Sequence, residues 1–178
     1  KMVAIFRLAD LKVTRVQIGG WLKKDDDPDY VACSDERMAS FMNGLITLQE
    51  LEGINDEEME TIYALGYNFF TYGKYDAAKD IFTGLTAYAP YTAHYWRALG
   101  AVNQQLKDYE EAIAAYDMAI ANDEADVVSY VYRGESQILS GNVQPGLEDL
   151  ERVLQIGAQY PEFGAWVQRS ELLLGLHR

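Results

Sequence analysis

Three turn-like stretches in this chain begin 34 residues apart: Gly73-Lys74-Tyr75-Asp76-Ala77-Ala78, Lys107-Asp108-Tyr109-Glu110-Glu111-Ala112 and Gly141-Asn142-Val143-Gln144-Pro145-Gly146. A fixed period of this length constrains the fold more than composition does, because it means one small unit stacked on copies of itself. Between the turns, apolar and small residues recur in the same register. Trp96, Leu99 and Gly100 are followed by Ala112, Tyr116 and Ala119. One period earlier stand Ile62, Leu65, Gly66, Phe69, Ala78, Phe82, Leu85 and a closing Pro90. One period later stand Tyr130, Gly134, Gly146 and Leu150, with Arg133 where the pattern asks for Leu. Each unit therefore reads as helix-turn-helix. The glycine of each first helix lets it lie close to the second, where Ala78, Ala112 and Gly146 face it.

The period and the W-x2-L-G run are the signature of the tetratricopeptide repeat. The expected fold is all-α: a tetratricopeptide superhelix of three repeats, 59–92, 93–126 and 127–160, with N-terminal and C-terminal flanking helices. Asn55 followed by Glu58 predicts a helix N-terminus, Asp126 predicts another, and Pro145 and Pro161 suit first helical positions. A helix near 161–175, with Phe163, Trp166, Val167, Leu172 and Leu173, closes one end. Another near 36–51, with Met38, Phe41, Met42, Leu45 and Leu48, covers the other. The domain thus runs over 36–178, and residues 1–35 form an extension of unassigned structure in which Asp25-Asp26-Asp27-Pro28-Asp29 reads as a linker or turn. At 178 residues and 49% hydrophobic the chain suits one compact core, and its apolar stretches are too short to span a bilayer. No secretory signal is read in Lys1–Leu11, whose apolar run Arg7 and Asp10 interrupt.

Charge narrows the function classes. The net charge is −13, yet residues 1–24 carry six basic residues and one acidic one, leaving nine basic and 27 acidic residues, or −18, in the remainder. Such a body repels phosphate backbones, so no nucleic acid partner is expected. The basic leader reads either as a solvated tail or as a segment that lies on the acidic body or on a second subunit. Cys33 is the single cysteine, which forbids an internal disulfide and fits a reducing compartment. With only His94 and His177 there is no metal cluster and no nucleophile–base pair, and Gly19-Gly20 lacks the Lys and Ser/Thr of a phosphate loop. Carboxylates such as Asp56-Glu57-Glu58 and Glu110-Glu111 sit at helix starts, where they complement the dipole. The expectation is a protein with no catalytic site, no metal and no cofactor.

The informative excess is tyrosine, with thirteen residues, beside six phenylalanines and three tryptophans. In a tetratricopeptide unit the first helix lines the concave face at unit positions near 2, 5, 9 and 12. In the first repeat positions 5, 9 and 12 are Tyr63, Tyr67 and Phe70, one stripe at i, i+4 and i+7, separate from the core stripe Ile62, Leu65, Gly66 and Phe69. A helix apolar on two faces is either covered, here by the leader or the 36–51 helix, or built to receive a ligand. The equivalent residues of the second repeat are His94, Arg97, Ala101 and Gln104, so the groove is expected to be aromatic at one end and hydrogen-bonding at the other. A clamp for a C-terminal carboxylate needs Lys, Asn and Arg on this face, where Tyr63 and Tyr67 stand. An extended apolar ligand fits better.

The run Glu60-Thr61-Ile62-Tyr63-Ala64-Leu65-Gly66-Tyr67-Asn68, with Gly73-Lys74-Tyr75-Asp76-Ala77-Ala78 and Ile81-Phe82, resembles the class II (LcrH/SycD-like) translocator chaperones of bacterial type III secretion. The similarity continues through Tyr91, Leu99-Gly100-Ala101, Tyr109, Ala112-Ile113, Tyr116, Gly134-Glu135 and Gly141. Upstream, Phe41, Gly44, Thr47 and Ile54 fall where the family has its N-terminal helix and glycine-threonine turn. The resemblance implies a cytoplasmic bacterial chaperone that holds an extended, proline-containing segment of a hydrophobic translocator in its concave groove before export. It also implies a homodimer formed through the N-terminal helical region and no stable membrane insertion. Carried over by position, the groove aromatics are Tyr63, Tyr67, Phe70, Tyr75 and Tyr88, joined by Tyr91 and Tyr116; with His94, Arg97 and Gln104 from the second-repeat positions they make up the expected peptide-binding set. The alternative that the generic repeat leaves open is a scaffold for another secretion, pilus or envelope assembly complex.

Overall fold

The computed structural model describes residues 54–177. The expected 36–51 helix, the Asp25–Asp29 turn and the basic leader lie outside the described residues. Those described form seven α-helices: α1 Asp56–Thr71, α2 Tyr75–Tyr88, α3 Ala93–Leu106, α4 Tyr109–Asn122, α5 Val127–Leu139, α6 Val143–Gly157 and α7 Gly164–Leu176, with a 3-10 turn at Pro161–Phe163 before the last. The tetratricopeptide pairing of a first and a second helix is therefore present three times, as α1/α2, α3/α4 and α5/α6, and α7 is the expected closing helix. The residues form two compact units, one ending at Tyr88 and one beginning at Ala89.

The period is written into the backbone as well as the sequence. Gly73, Lys107 and Gly141, 34 residues apart, are the described residues with positive φ, at 74°, 66° and 95°. Each ends a first helix in the same way: the following N–H of Lys74, Asp108 and Asn142 donates to the carbonyl five residues back, on Phe69, Asn103 and Gln137, at 2.9, 2.9 and 2.8 Å. That is the bond of a Schellman C-cap, which needs one left-handed residue. Glycine fills it twice without steric cost, whereas Lys107 holds it against its own Cβ.

The starts of the helices are also coded locally. Asn55 and Glu58 form a reciprocal capping box, Asn55 Oδ1 accepting from Glu58 N at 3.0 Å and Glu58 Oε2 accepting from Asn55 N at 3.3 Å. Asp126 caps α5 by accepting from Ser129 N, as expected. Pro145 differs: Asn142 is the N-cap of α6, so the proline sits at the third helical position, still within the turn whose N–H groups have no helical partner.

In the first unit Met59, Ile62, Leu65 and Phe69 of α1 are buried against Ala78, Ile81, Phe82 and Leu85 of α2. Each large side chain so buried contributes roughly 2 kcal/mol. In the second unit Leu99 and Val102 of α3 and Ala112, Tyr116 and Ala119 of α4 are buried in the same way, and Val127, Val131, Leu150, Val153, Ile156 and Leu174 form the core under α5, α6 and α7. The first-helix glycines are the close-approach points. A Cβ on Gly66 would stand 2.8 Å from the Phe82 ring, and one on Gly100 would stand 2.6 Å from the Tyr116 ring. At Gly134 it would meet the Gly146 carbonyl oxygen at 2.8 Å. Only in the third pair, then, does the glycine face the small residue named above. In the other two it seats a ring of the second helix. Helix α7 keeps the register of a first helix, but Gln168 and Glu171 stand exposed where its predecessors bury Gly134, Gly100 and Asn103 and half-bury Gln137. A polar outer face is what a terminal repeat element requires.

These contacts generate a graded set of stabilities, read from urea unfolding. Gly134→Ala drives a methyl into backbone and loses about 2 kcal/mol. Gly141→Ala meets open space but forces a left-handed alanine, losing about 1 kcal/mol. Lys107→Gly removes that strain and gains about 0.5 kcal/mol after the added freedom of the unfolded chain is subtracted. Equal effects of all three would mean that the turns are not built as described.

Candidate peptide-binding faces

In the first unit the expected aromatic residues come together. The Tyr67 and Phe70 ring centroids lie 6.4 Å apart, and Phe70 and Tyr75 lie 5.7 Å apart across the turn joining α1 to α2. Tyr63, one turn earlier, packs its ring 5.6 Å from that of the core residue Phe82. Tyr67 is 56% exposed, while Tyr63, Phe70 and Tyr75 are half-buried. The group therefore has a seated base and a wet outer edge. Tyr88 does a different job. Its hydroxyl accepts from Ile54 N at 2.8 Å and donates to Ile54 O at 2.9 Å, pinning the segment that enters α1 to the end of α2.

The second unit replaces rings by hydrogen-bonding groups on its first helices. His94 meets the buried Tyr95 edge-on at 4.3 Å. One turn later Arg97 Nη1 donates to Asp126 Oδ1 at 2.8 Å, and Asp126 Oδ2 also accepts from Ser129 Oγ at 2.7 Å. Gln104 Oε1 accepts from the Tyr116 hydroxyl at 3.2 Å, and its amide nitrogen lies 3.5 Å from Glu135 Oε2. Tyr116 itself is fully buried, so it supports Gln104 from beneath rather than presenting a surface. Burial pushes its phenol above the ordinary tyrosine range, and the neighbouring Tyr132 and Glu135 push the same way. Tyr91, 88% exposed before α3, joins none of these groups.

Four residues not picked out in the sequence as lining the face are here. Tyr132 stacks on Tyr116 at 6.1 Å and meets Trp166 edge-on at 5.7 Å. Arg169 donates from Nε to Glu135 Oε1 at 2.7 Å and lies over the Tyr132 ring at 5.3 Å. Unit position 9 could have found the polar pair: Ala101, Glu135 and Arg169 are 34 residues apart. Arg133, at the expected Leu position, grips Asp149 through Nε at 2.7 Å and Nη2 at 2.6 Å, and reaches Asp117 through Nη1 at 2.6 Å. Burial opposes its charge, but the bonds and fields of Asp149 and Asp117 outweigh that and hold it more firmly protonated. Among the described residues no group of three or more His, Cys, Asp or Glu could hold a metal ion, and no helix is long and apolar enough to cross a membrane.

Known proteins resemble this chain in two parts. Residues 1–50 match a family described as a protein of unknown function, DUF1456. The low calcium response locus protein H of Yersinia pseudotuberculosis is 27% identical over 126 residues, 71% of this chain and 75% of that protein. The chaperone protein SicA of Salmonella typhimurium is 30% identical over 110 residues, 60% of this chain and 67% of SicA. Among solved structures, PcrH of Pseudomonas aeruginosa in complex with the chaperone binding region of PopD superposes with a TM-score of 0.68 at 28% identity, covering 71% of this chain and 95% of PcrH.

The Arg133 cluster makes a separable prediction about stability. Asp149→Ala leaves a partly buried guanidinium without its bidentate partner and loses about 3 kcal/mol. Asp117→Ala, whose carboxylate is half in water and screened, loses less than about 1 kcal/mol. Thermal melts of the two variants check this, and a ranking in the other order would refute it.

Proposed function

The chain belongs to the LcrH/SicA family of type III secretion translocator chaperones, and from that premise we propose that it holds an extended segment of a hydrophobic translocator before export. The observation that carries the reading is Tyr67. It stands 56% exposed within a packed group of rings, on a helix whose core face is already filled by Ile62, Leu65 and Phe69. A soluble helix has no folding use for a second apolar face, whereas a client does. Tyrosines suit the task because each offers a large rigid contact area and a hydroxyl that reaches peptide carbonyls.

The Tyr63, Tyr67, Phe70 and Tyr75 group takes the apolar side chains of the client, and it acts by binding alone, without catalysis. The work belongs in the bacterial cytoplasm, where the client is made. PcrH, solved with the chaperone binding region of PopD, supports the client class. Two copies pair through the N-terminal region, in keeping with the family resemblance. Tyr88 serves this function indirectly, by fixing where α1 begins, and Tyr116 by holding Gln104.

Co-expression of the full chain with a candidate translocator tests the reading. Tyr67→Ala removes an exposed ring, so folding stability stays within about 0.5 kcal/mol. Recovery of soluble, co-purifying translocator falls sharply, and affinity for the bound segment drops on the order of 30-fold if Tyr67 is a hot spot. Equal recovery of partner by wild type and by the Tyr63→Ala/Tyr67→Ala double variant would sink it.

A further inference from the structure

The closing helix of the second unit is more than a cap. Arg169 occupies unit position 9 of an incomplete fourth repeat, the place held by Tyr67, Ala101 and Glu135 one, two and three units earlier. Within the second unit it therefore faces the same side as Ala101 and Glu135 of the first helices α3 and α5. Bonds across α3, α5 and α7 bear this out within the unit, since Gln104, Glu135 and Arg169 run in one connected line.

The guanidinium is held but not used up. Its Nε and Nη2 both bond Glu135 Oε1, its plane lies over Tyr132, and the side chain is still 46% exposed. A fork fixed along one edge presents the other edge in a set direction, which lowers the ordering cost of binding an anion. The charge distribution selects what can come near. Helices α3, α5 and α7 carry Arg97, Arg133 and Arg169 against Glu135 and Glu171, whereas α4 and α6 carry six carboxylates and the single cation Arg152. An acidic group is repelled by the carboxylates of α4 and α6, where Arg152 is the single cation, and less so beside Arg169.

We propose that Arg169, backed by Glu135 and flanked by the half-buried rings of Tyr132 and Trp166, forms a subsite that reads an acidic side chain in the extended client segment. The inference rests on the chaperone reading above and adds the chemistry of one client residue. The competing role, a purely structural tie between α7 and α5, differs in a way that can be measured. Glu135→Gln weakens the tie but leaves the guanidinium in place, whereas Arg169→Gln removes both.

The experiment uses the full chain and short fluorescein-labelled peptides tiling the translocator that co-purifies with it, read by anisotropy. The tightest peptide contains Asp or Glu. Changing that residue to its amide weakens binding to wild type about tenfold and has little effect on Arg169→Gln. Arg169→Gln weakens the unmodified peptide by the same factor, and Glu135→Gln, which loosens the fork but keeps its charge, weakens it clearly less, by about twofold to threefold. A tightest peptide without an acidic residue, or equal losses in Arg169→Gln and Glu135→Gln, overturns the subsite. Binding unaffected by Arg169→Gln but lost in Tyr67→Ala also overturns it while leaving the chaperone reading intact. If Tyr67→Ala has no effect either, the chaperone reading fails and the subsite fails with it.

Discussion

How near the first helix of a repeat can come to the second decides most of what this chain can do. At Gly66 and Gly100 the absence of a side chain lets a ring of the second helix, Phe82 or Tyr116, lie directly on the first-helix backbone. The second helix then fills the inner side of the first with few residues. Gly134 and Gly146 reach the same end by bringing two backbones together. Once the inner side is satisfied, the outer side of each first helix is released from folding duty. In α1 that side became aromatic. In α3 and α5 it became polar. The tight glycine seat is thus the condition for having a face to offer at all.

Local rules were legible because they repeat. The helix ends at Gly73, Lys107 and Gly141 share one left-handed residue and one long-range cap bond, and a period seen three times is stronger than any single turn motif. The capping box at Asn55 and the cap at Asp126 were legible for another reason, since each is closed between residues three positions apart. Pairwise matters were less legible. Nothing local says that Arg133, in a leucine position, finds Asp149 sixteen residues on. Nor does it say that Tyr116 points inward while Tyr67 points out, since both are tyrosines in periodic helices. The spacing set Tyr63, Tyr67 and Phe70 apart from the core stripe, but exposure divides them: Tyr67 is wet, whereas Tyr63 leans on Phe82. Register gives the direction of a side chain, and only the neighbouring helix decides how deeply it is covered.

The arginines show how the polar face stays affordable. Arg97, Arg133 and Arg169 each bond a carboxylate that is largely shielded from water: Asp126, Asp149 and Glu135. None of these ion pairs joins residues adjacent on one helix, so each also fixes how two segments of the chain lie. A buried carboxylate left alone would be costly, and a guanidinium left alone would be floppy. Together they give a charged group with a defined direction on a helix surface, which a lysine could not supply as well because its ammonium has no planar fork.

A protein that receives aggregation-prone segments faces a conflict: its receiving face must be sticky to the client but not to another copy of itself. Leucine or isoleucine at position 67 would meet the first demand and fail the second, because an aliphatic patch loses nothing by self-association. Tyr67 keeps a hydroxyl in water, and the rings beside it are half-sunk, so the continuous dry area stays small. The net charge of −13 adds long-range repulsion between copies, and it acts least on a neutral client segment. On the proposed reading the tyrosine excess and the acidic surface are therefore two parts of one solution, the first setting what binds and the second discouraging the receiving face of one copy from sticking to that of another.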